Sequence, residues 1–294
     1  MLTVGYWIFS RTSSSVAQIE SIAVLPFVNE SGSRDAEYLS DGMTDSLINS
    51  LSQISHLSVK AHGTVFRYKG QQIDPQQVAS QLSVQALVSG RLVQRGDDVI
   101  LYLSLVDARN GNQIWGDQYN RKLTDLVVLQ QEIARDVSQK LRPRLAGADE
   151  QKVKRAYTPS AEAYKLYLKG RYHILKLTLS EIQTGISYYQ QAIAIDPSYA
   201  LAYAGLADAY RSALAGDMPS TELLAKAKSA AQKAIELDDT LADAHVQLGF
   251  IIFWKDWDWN ESENEFRRAL KLDPNNADAH LFYAHLLSNT GRHT

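Results

Sequence analysis

The sequence predicts an α/β domain with a mixed sheet, followed by an all-α solenoid of helical repeats. Three observations carry this expectation. A β-branched run leads into an amphipathic helix near the start, three strand segments follow one another across glycine turns in the middle, and beyond residue 158 a helix–turn–helix unit recurs in register on an alanine.

The 294 residues are 45% hydrophobic and 21% charged, a globular composition that suffices for about two domains. The formal net charge is -3 and no block of like charges occurs, so the basic footprint of a nucleic-acid binder is missing. The chain has no cysteine, which excludes disulfides, thiolate metal ligands and a cysteine nucleophile while leaving the compartment open.

Residues 1–10, MLTVGYWIFS, are apolar but shorter than the roughly 20 residues of a membrane span, and they lack the leading positive charge of a signal peptide. The expected reading is the end of a transmembrane helix that begins upstream, with a frayed tail as the alternative. Residues 11–20, with three consecutive serines, then form a polar juxtamembrane linker.

The α/β domain is expected over residues 21–145. SIAVLPF (21–27) reads as a buried strand closed by Pro26, and Leu39, Met43, Leu47 and Leu51 make one helical stripe behind Asp35 as N-cap. LSVKA (57–61) and TVFRY (64–68) are short strand candidates. DPQQVASQL (74–82) opens a helix with aspartate as cap and proline in the first turn. ALVSGRLVQR, DVILYLSLVDA and NQIWGDQY form an antiparallel meander, turned at Gly96-Asp97 and at Asn110-Gly111, where both residues tolerate positive φ. In the middle strand Val99, Leu101, Leu103 and Leu105 share one face, with Ile100, Tyr102 and Val106 on the other, both at least partly covered. A closing helix carries Leu126, Leu129, Ile133, Val137 and Leu141 and ends near Pro143.

Together AVLPF, LSDGMTDSL, the D-A-x-x-G-x-x-I-W pattern in DARNGNQIW and the closing LQQEIA resemble the bacterial TolB-like N-terminal domain that precedes tetratricopeptide arrays. The resemblance covers nearly the whole domain. It implies an α/β module without catalysis of its own, attached in such proteins to membrane-bound transcription factors, kinases or nucleotide cyclases.

Residues 146–158 read as a hinge or lead-in, and residues 159–294 as about three repeats plus the first helix of a fourth. YYQQAIAIDP, SAAQKAIELDD and NEFRRALKLDP superpose with Ala192, Ala234 and Ala269 in register, 42 and 35 residues apart. Small residues at these positions let helices approach, and Pro197 and Pro274 stop them; Asp239 stands in place of the middle proline. First helices follow each turn, with Tyr203, Leu206, Ala207 and Tyr210 in one copy and His245 and His280 at the aromatic position in the next two. This pattern resembles the tetratricopeptide (TPR) repeat. The excess over its period of about 34 is insertion, placed in RSALAGDMPSTE (211–222), while FWKDWDWNE (253–261) sets three tryptophans at one turn. The first copy matches poorly in its opening helix, AYKLYLKGRYHILK. LLSNTGRHT stops where a second helix would begin, so the array is expected to be either capped by a lone helix or truncated, and with the apolar start the expected reading is a piece of a longer protein.

The seven histidines form no H-E-x-x-H, and G-x-S-x-G, P-loop and G-x-G-x-x-G motifs are missing, so no catalytic, metal or cofactor site is expected. His245 and His280 read as packing residues, and the five-residue spacing of His280 and His285 suits shared metal binding poorly. Glu30, Asp35 and Asp41 read as caps and solvated loop rather than a cation site. Asp256 and Asp258 read as anchors of a long turn rather than a sugar site.

By similarity to TPR proteins, the groove positions are Leu201, Ala204, Asp208 and Arg211, then Asp243, Val246, Phe250 and Trp254, then Asp278, Leu281 and His285. Asp208, Arg211, Asp243, Val246, Phe250, Trp254, Leu281 and His285 are the partner-binding candidates, with packing against neighbouring helices as the competing role. The expected function is a non-enzymatic interaction or sensory region of a bacterial signalling protein that binds a protein or peptide in this groove. The alternatives are the regulatory part of a kinase or cyclase, or a free envelope scaffold. Inner-membrane anchoring with the domains in the periplasm is expected, with the cytoplasm as the alternative and oligomerisation left open.

Overall fold

Strand β1 (Ser21–Val24) buries Ile22, Ala23 and Val24 completely, as its β-branched run requires, and sits inside a mixed sheet with a neighbour on each side. The computed structural model describes residues 19–33, 36–71, 74–141, 155, 157–215 and 220–292. The apolar segment 1–10, most of the 11–20 linker, most of the 146–158 lead-in and the proposed cap Asp35 lie outside the described residues.

Strand β1 pairs in parallel with β3 (Ser58–Val59) and with β4 (Ala86–Arg95), and β2 (Val28–Asn29) joins β4 further along its length. Strands β4, β5 (Asp98–Asp107) and β6 (Asn112–Lys122) form the antiparallel meander. Gly96 takes φ +58° in the first turn; in the second only Gly111, at φ +74°, enters the left-handed region, because Ala108–Gly111 form a longer loop than a two-residue hairpin. Val99, Leu101, Leu103 and Leu105 are buried, whereas Ile100, Tyr102 and Val106 are only half-buried.

Helix α1 (Glu37–Ser52) starts after Ala36 with no side-chain cap, and its stripe of Leu39, Met43, Leu47 and Leu51 enters the sheet's core. The expected strand TVFRY is instead a short helix α2 (His62–Val65) running into a tight turn at Phe66–Tyr68. Val65 and Tyr68 are its buried residues; their spacing of three suits a helical turn, and it overrides the β propensity of the side chains. Helix α3 (Pro75–Leu82) begins as its sequence dictates, with Asp74 accepting from the Gln76 amide at 2.9 Å. Helix α4 (Leu126–Leu141) buries its full apolar stripe and lies beside α1.

The rest is a stack of antiparallel helix pairs of the tetratricopeptide type: α5 (Ala161–Ile174) with α6 (Leu179–Ile195), α7 (Ala200–Ser212) with α8 (Ser220–Leu237), and α9 (Ala242–Ile251) with α10 (Trp259–Leu272). Helix α11 (Ala277–Asn289) packs on α10. Ala192, Ala234 and Ala269 are fully buried at the contacts between helices. The Tyr189 ring is wedged between glycines of two first helices, Gly170 of α5 and Gly205 of α7.

Candidate protein-interaction site

The first helices α5, α7, α9 and α11 line one concave face, and helix α1 of the α/β module lies against part of it. The opposite sides of α1 explain this placement. Its leucine stripe faces the sheet, and its other face, Gly42, Asp45, Ser46, Asn49 and Ser52, is made of short polar residues that let a second layer come close. A Cβ on Gly42 would stand 2.9 Å from Leu168 of α5. Tyr164 donates from its hydroxyl to Ser46 Oγ at 3.0 Å, Ser52 Oγ donates to Asp273 at 3.1 Å, and Asn275 Nδ2 donates to the Leu57 carbonyl at 2.9 Å.

The central tie is an ion pair. Arg171 of α5 donates through Nε and Nη2 to Asp45 Oδ2, and His62 Nδ1 approaches Asp45 Oδ1 at 3.3 Å. Burial by itself would raise the Asp45 carboxyl, but Arg171 and His62 outweigh it and hold its pKa at about 2. Asp41, expected in a solvated loop, is instead buried in α1 and paired with Lys69. Glu30 meets Arg91 at 3.6 Å at the surface.

A cavity of about 460 Å³ remains between α1, α2 and the concave face, lined among others by Asp45, Asp208, Asp243, Asp278 and Arg171. Two of the sequence candidates fall there. Asp208 pairs with Arg211, and Asp243 accepts from Asn276 Nδ2 at 2.7 Å; burial raises the Asp243 pKa, with the charge of Arg171 opposing.

At the end of the concave face away from α1, the structure brings Arg211, Phe250, Trp254 and His285 together. The Arg211 guanidinium lies 5.3 Å from the Phe250 ring and 5.2 Å from Phe282, and its Nε donates to Gln247 at 2.8 Å. Phe250 stands 6.2 Å from Trp254, which stands 5.7 Å from His285. Trp254 remains 43% exposed on a π-helical turn (Ile252–Asp256), and Leu281 on α11 is 61% exposed.

Val246 does not belong to this surface. It is fully buried with Ala242, Ala269 and Ala279, because α9 turns that residue toward its neighbouring helices, so the groove assignment is corrected to a core role. His245 is a packing residue, held between Glu265 and the Asp239 carbonyl, whereas His280 is exposed and bonds the Pro274 carbonyl. Asp256 pairs with Lys228, and Asp258 caps α10 through the Glu261 amide at 3.0 Å, which makes both of them turn anchors. Among the described residues no three or more histidine, aspartate or glutamate side chains are grouped to hold a metal ion, and no helix is long and apolar enough to cross a membrane.

Sequence reasoning missed Tyr164, Tyr167 and Arg171, the concave-face residues of the first repeat. The signal was present: Gly170 is the small residue that meets Tyr189, and aligning on it places Arg171 in the same helical position as Asp208.

Three comparisons bear on these modules. The HilA/YgeH-like transcriptional regulator family, second domain, matches residues 17–136. The protein called putative adenylate cyclase 3 of Rhizobium meliloti (strain 1021) is 30% identical over 238 residues, which cover 80% of this chain and 40% of that protein; the chain therefore spans about two fifths of the length of this curated relative. Among solved structures, a thermophilic TPR protein of Thermus thermophilus, TTC0263, is 17% identical, covering 58% of this chain and 82% of its own at a TM-score of 0.40. TolB of Acinetobacter baumannii is 14% identical, covering 44% of this chain and 31% of its own at a TM-score of 0.33.

Proposed function

We propose that this chain is a non-enzymatic protein-interaction and sensory region of a membrane-associated bacterial signalling protein, in which a TolB-like α/β module and TPR repeats act as one docked unit. The partner, a protein segment or peptide, is received at the open end of the concave face. The observation that supports this reading is the run of contacts Arg211–Phe250–Trp254–His285, in which the guanidinium lies on the Phe250 ring and the series opens to solvent at Trp254, while α1 covers the other end. Aromatic and arginine side chains are the usual anchors of protein interfaces.

Selection of a displayed peptide library on the whole chain tests it. Peptides captured by the wild-type chain are expected to lose about tenfold or more in affinity for the Phe250→Ala, Trp254→Ala double variant, since hot-spot truncations cost about 2 kcal/mol or more. Unchanged affinity would remove these residues as anchors.

A second reading is favoured by the likeness to the Rhizobium protein whose name is putative adenylate cyclase 3: the region regulates a nucleotide cyclase. On either reading the chain by itself is expected to form no cyclic AMP from ATP and magnesium. Measurable formation by the purified chain would overturn the non-enzymatic assignment.

A further inference from the structure

A second, smaller cavity of about 90 Å³ lies between the two modules, room for a compact molecule rather than one water. From the repeat side its wall contains Tyr157, Tyr164, Tyr167 and Tyr199 with the carboxylates of Asp243 and Asp273; helices α1 and α4 contribute serine, asparagine and glutamine side chains. Among the described residues no lysine or arginine lines it.

Two features of this wall are unmet. Tyr199 is completely buried, 5.3 Å from the Tyr167 ring, and among the described residues its hydroxyl has no hydrogen-bond partner, a state that native interiors rarely tolerate without a reason. The carboxylates also differ. Asp273 accepts from Ser52 and from the Asn275 amide, whereas among the described residues only Asn276 donates to Asp243. The nearest guanidinium able to neutralise Asp243, that of Arg171, is already bonded to Asp45.

Tyrosine rings around a carboxylate that lacks its own cation are the chemistry that recognises an organic ammonium: the rings attract the cation and cover its methyl or methylene groups, while the carboxylate neutralises it. We propose that this interdomain cavity binds a small organic ammonium compound, a quaternary ammonium of about the size of choline, with its charge at Asp243. The site is separate from the open aromatic end of the groove and adds a small-molecule input to the interaction reading. Because both modules form the wall, an occupied cavity favours the docked arrangement over a separated one.

Isothermal titration calorimetry on the whole chain tests this with choline and tetramethylammonium as probes and 3,3-dimethyl-1-butanol, the neutral shape of choline, as control. Saturable binding of at least one cation is expected in the micromolar to millimolar range, with no saturation by the neutral alcohol. The Asp243→Asn chain, which keeps an oxygen for Asn276, is expected to bind about tenfold or more weakly. No saturable heat from either cation up to about 10 mM overturns the proposal, as does equal binding of the alcohol or unchanged affinity in Asp243→Asn. The alcohol control needs no variant, so the proposal stays testable if that chain folds poorly. Phe250→Ala with Trp254→Ala is expected to leave ammonium binding intact, so failure here and failure of the peptide reading are separately visible.

Discussion

Replacing Arg171 by methionine is expected to destabilise the chain by about 3 kcal/mol, because it leaves the Asp45 carboxylate without its main counter-charge inside the domain interface. The side chains of Asp45 and Arg171 are only 5% and 19% exposed, so water cannot replace the lost partner. A urea titration at neutral pH reads the effect as a lower midpoint than wild type. The same pair makes a pH prediction. The folded carboxyl titrates near 2, below its ordinary value of 3.8. Its contribution is therefore complete above about pH 4 and is lost as pH falls toward 2, amounting to about 2 kcal/mol. In Arg171→Met this acid-dependent loss should shrink. An unchanged urea midpoint, or an acid profile identical to wild type, would show that the modules are held together by packing and neutral hydrogen bonds instead.

The Tyr189 wedge carries the second large effect. Cβ atoms added at Gly170 and Gly205 would stand 2.6 and 2.7 Å from the Tyr189 ring, closer than carbon atoms pack, and the ring is fully buried with no free side to move toward. Gly205→Ala is expected to cost about 2 kcal/mol by forcing α7 away from α6, even after the gain of about 1 kcal/mol from alanine's higher helix propensity. Tyr189→Ala is expected to cost about 4 kcal/mol through the cavity it leaves. The decisive comparison is the double variant: with the ring removed, Gly205→Ala has nothing to strike, so the two costs should fall well short of adding. Additive losses in thermal or urea unfolding would mean that the glycine acts through backbone entropy and not through contact with the ring.

Both predictions depend on contacts that the sequence presents unevenly. The Tyr189 wedge is only half readable: Gly170 and Gly205 fall in successive first helices, but Gly170 takes the repeat position of Ala207, so the register does not match the two glycines and their shared contact with Tyr189 appears only in the fold. The Arg171–Asp45 pair is not readable, since 126 residues separate its members and neither lies in a motif that requires the other. One hint existed in α1. Its face opposite the leucines has glycine, serine, aspartate and asparagine but no lysine or arginine, an unusual choice for a face turned to water. Short side chains there fit a helix covered on both sides.

The TVFRY segment shows the opposite failure. β-branched and aromatic residues in a short run suited a strand, yet the chain makes a helical turn because burying Val65 and Tyr68 on the same side stabilises it more than strand propensity opposes it. Val246 fails for a related reason. A groove position is defined by its place in the repeat, but whether it stays open depends on the next helices, and Val246 is closed off by Ala269 and Ala279.

The sequence by itself determined the order of strands and helices through most of the chain, the meander, and the repeat register, because hydrophobic periodicity and small-residue spacing are local records of which face of each element is covered. Only the tertiary structure decided that α1 lies on the concave face of the repeats, that Arg211, Phe250, Trp254 and His285 come together at its other end, and that a tyrosine-walled cavity lies between the modules. Those outcomes rest on polar faces and pair contacts across long stretches of chain, and a polar face in a sequence is the same whether water or another domain finally covers it.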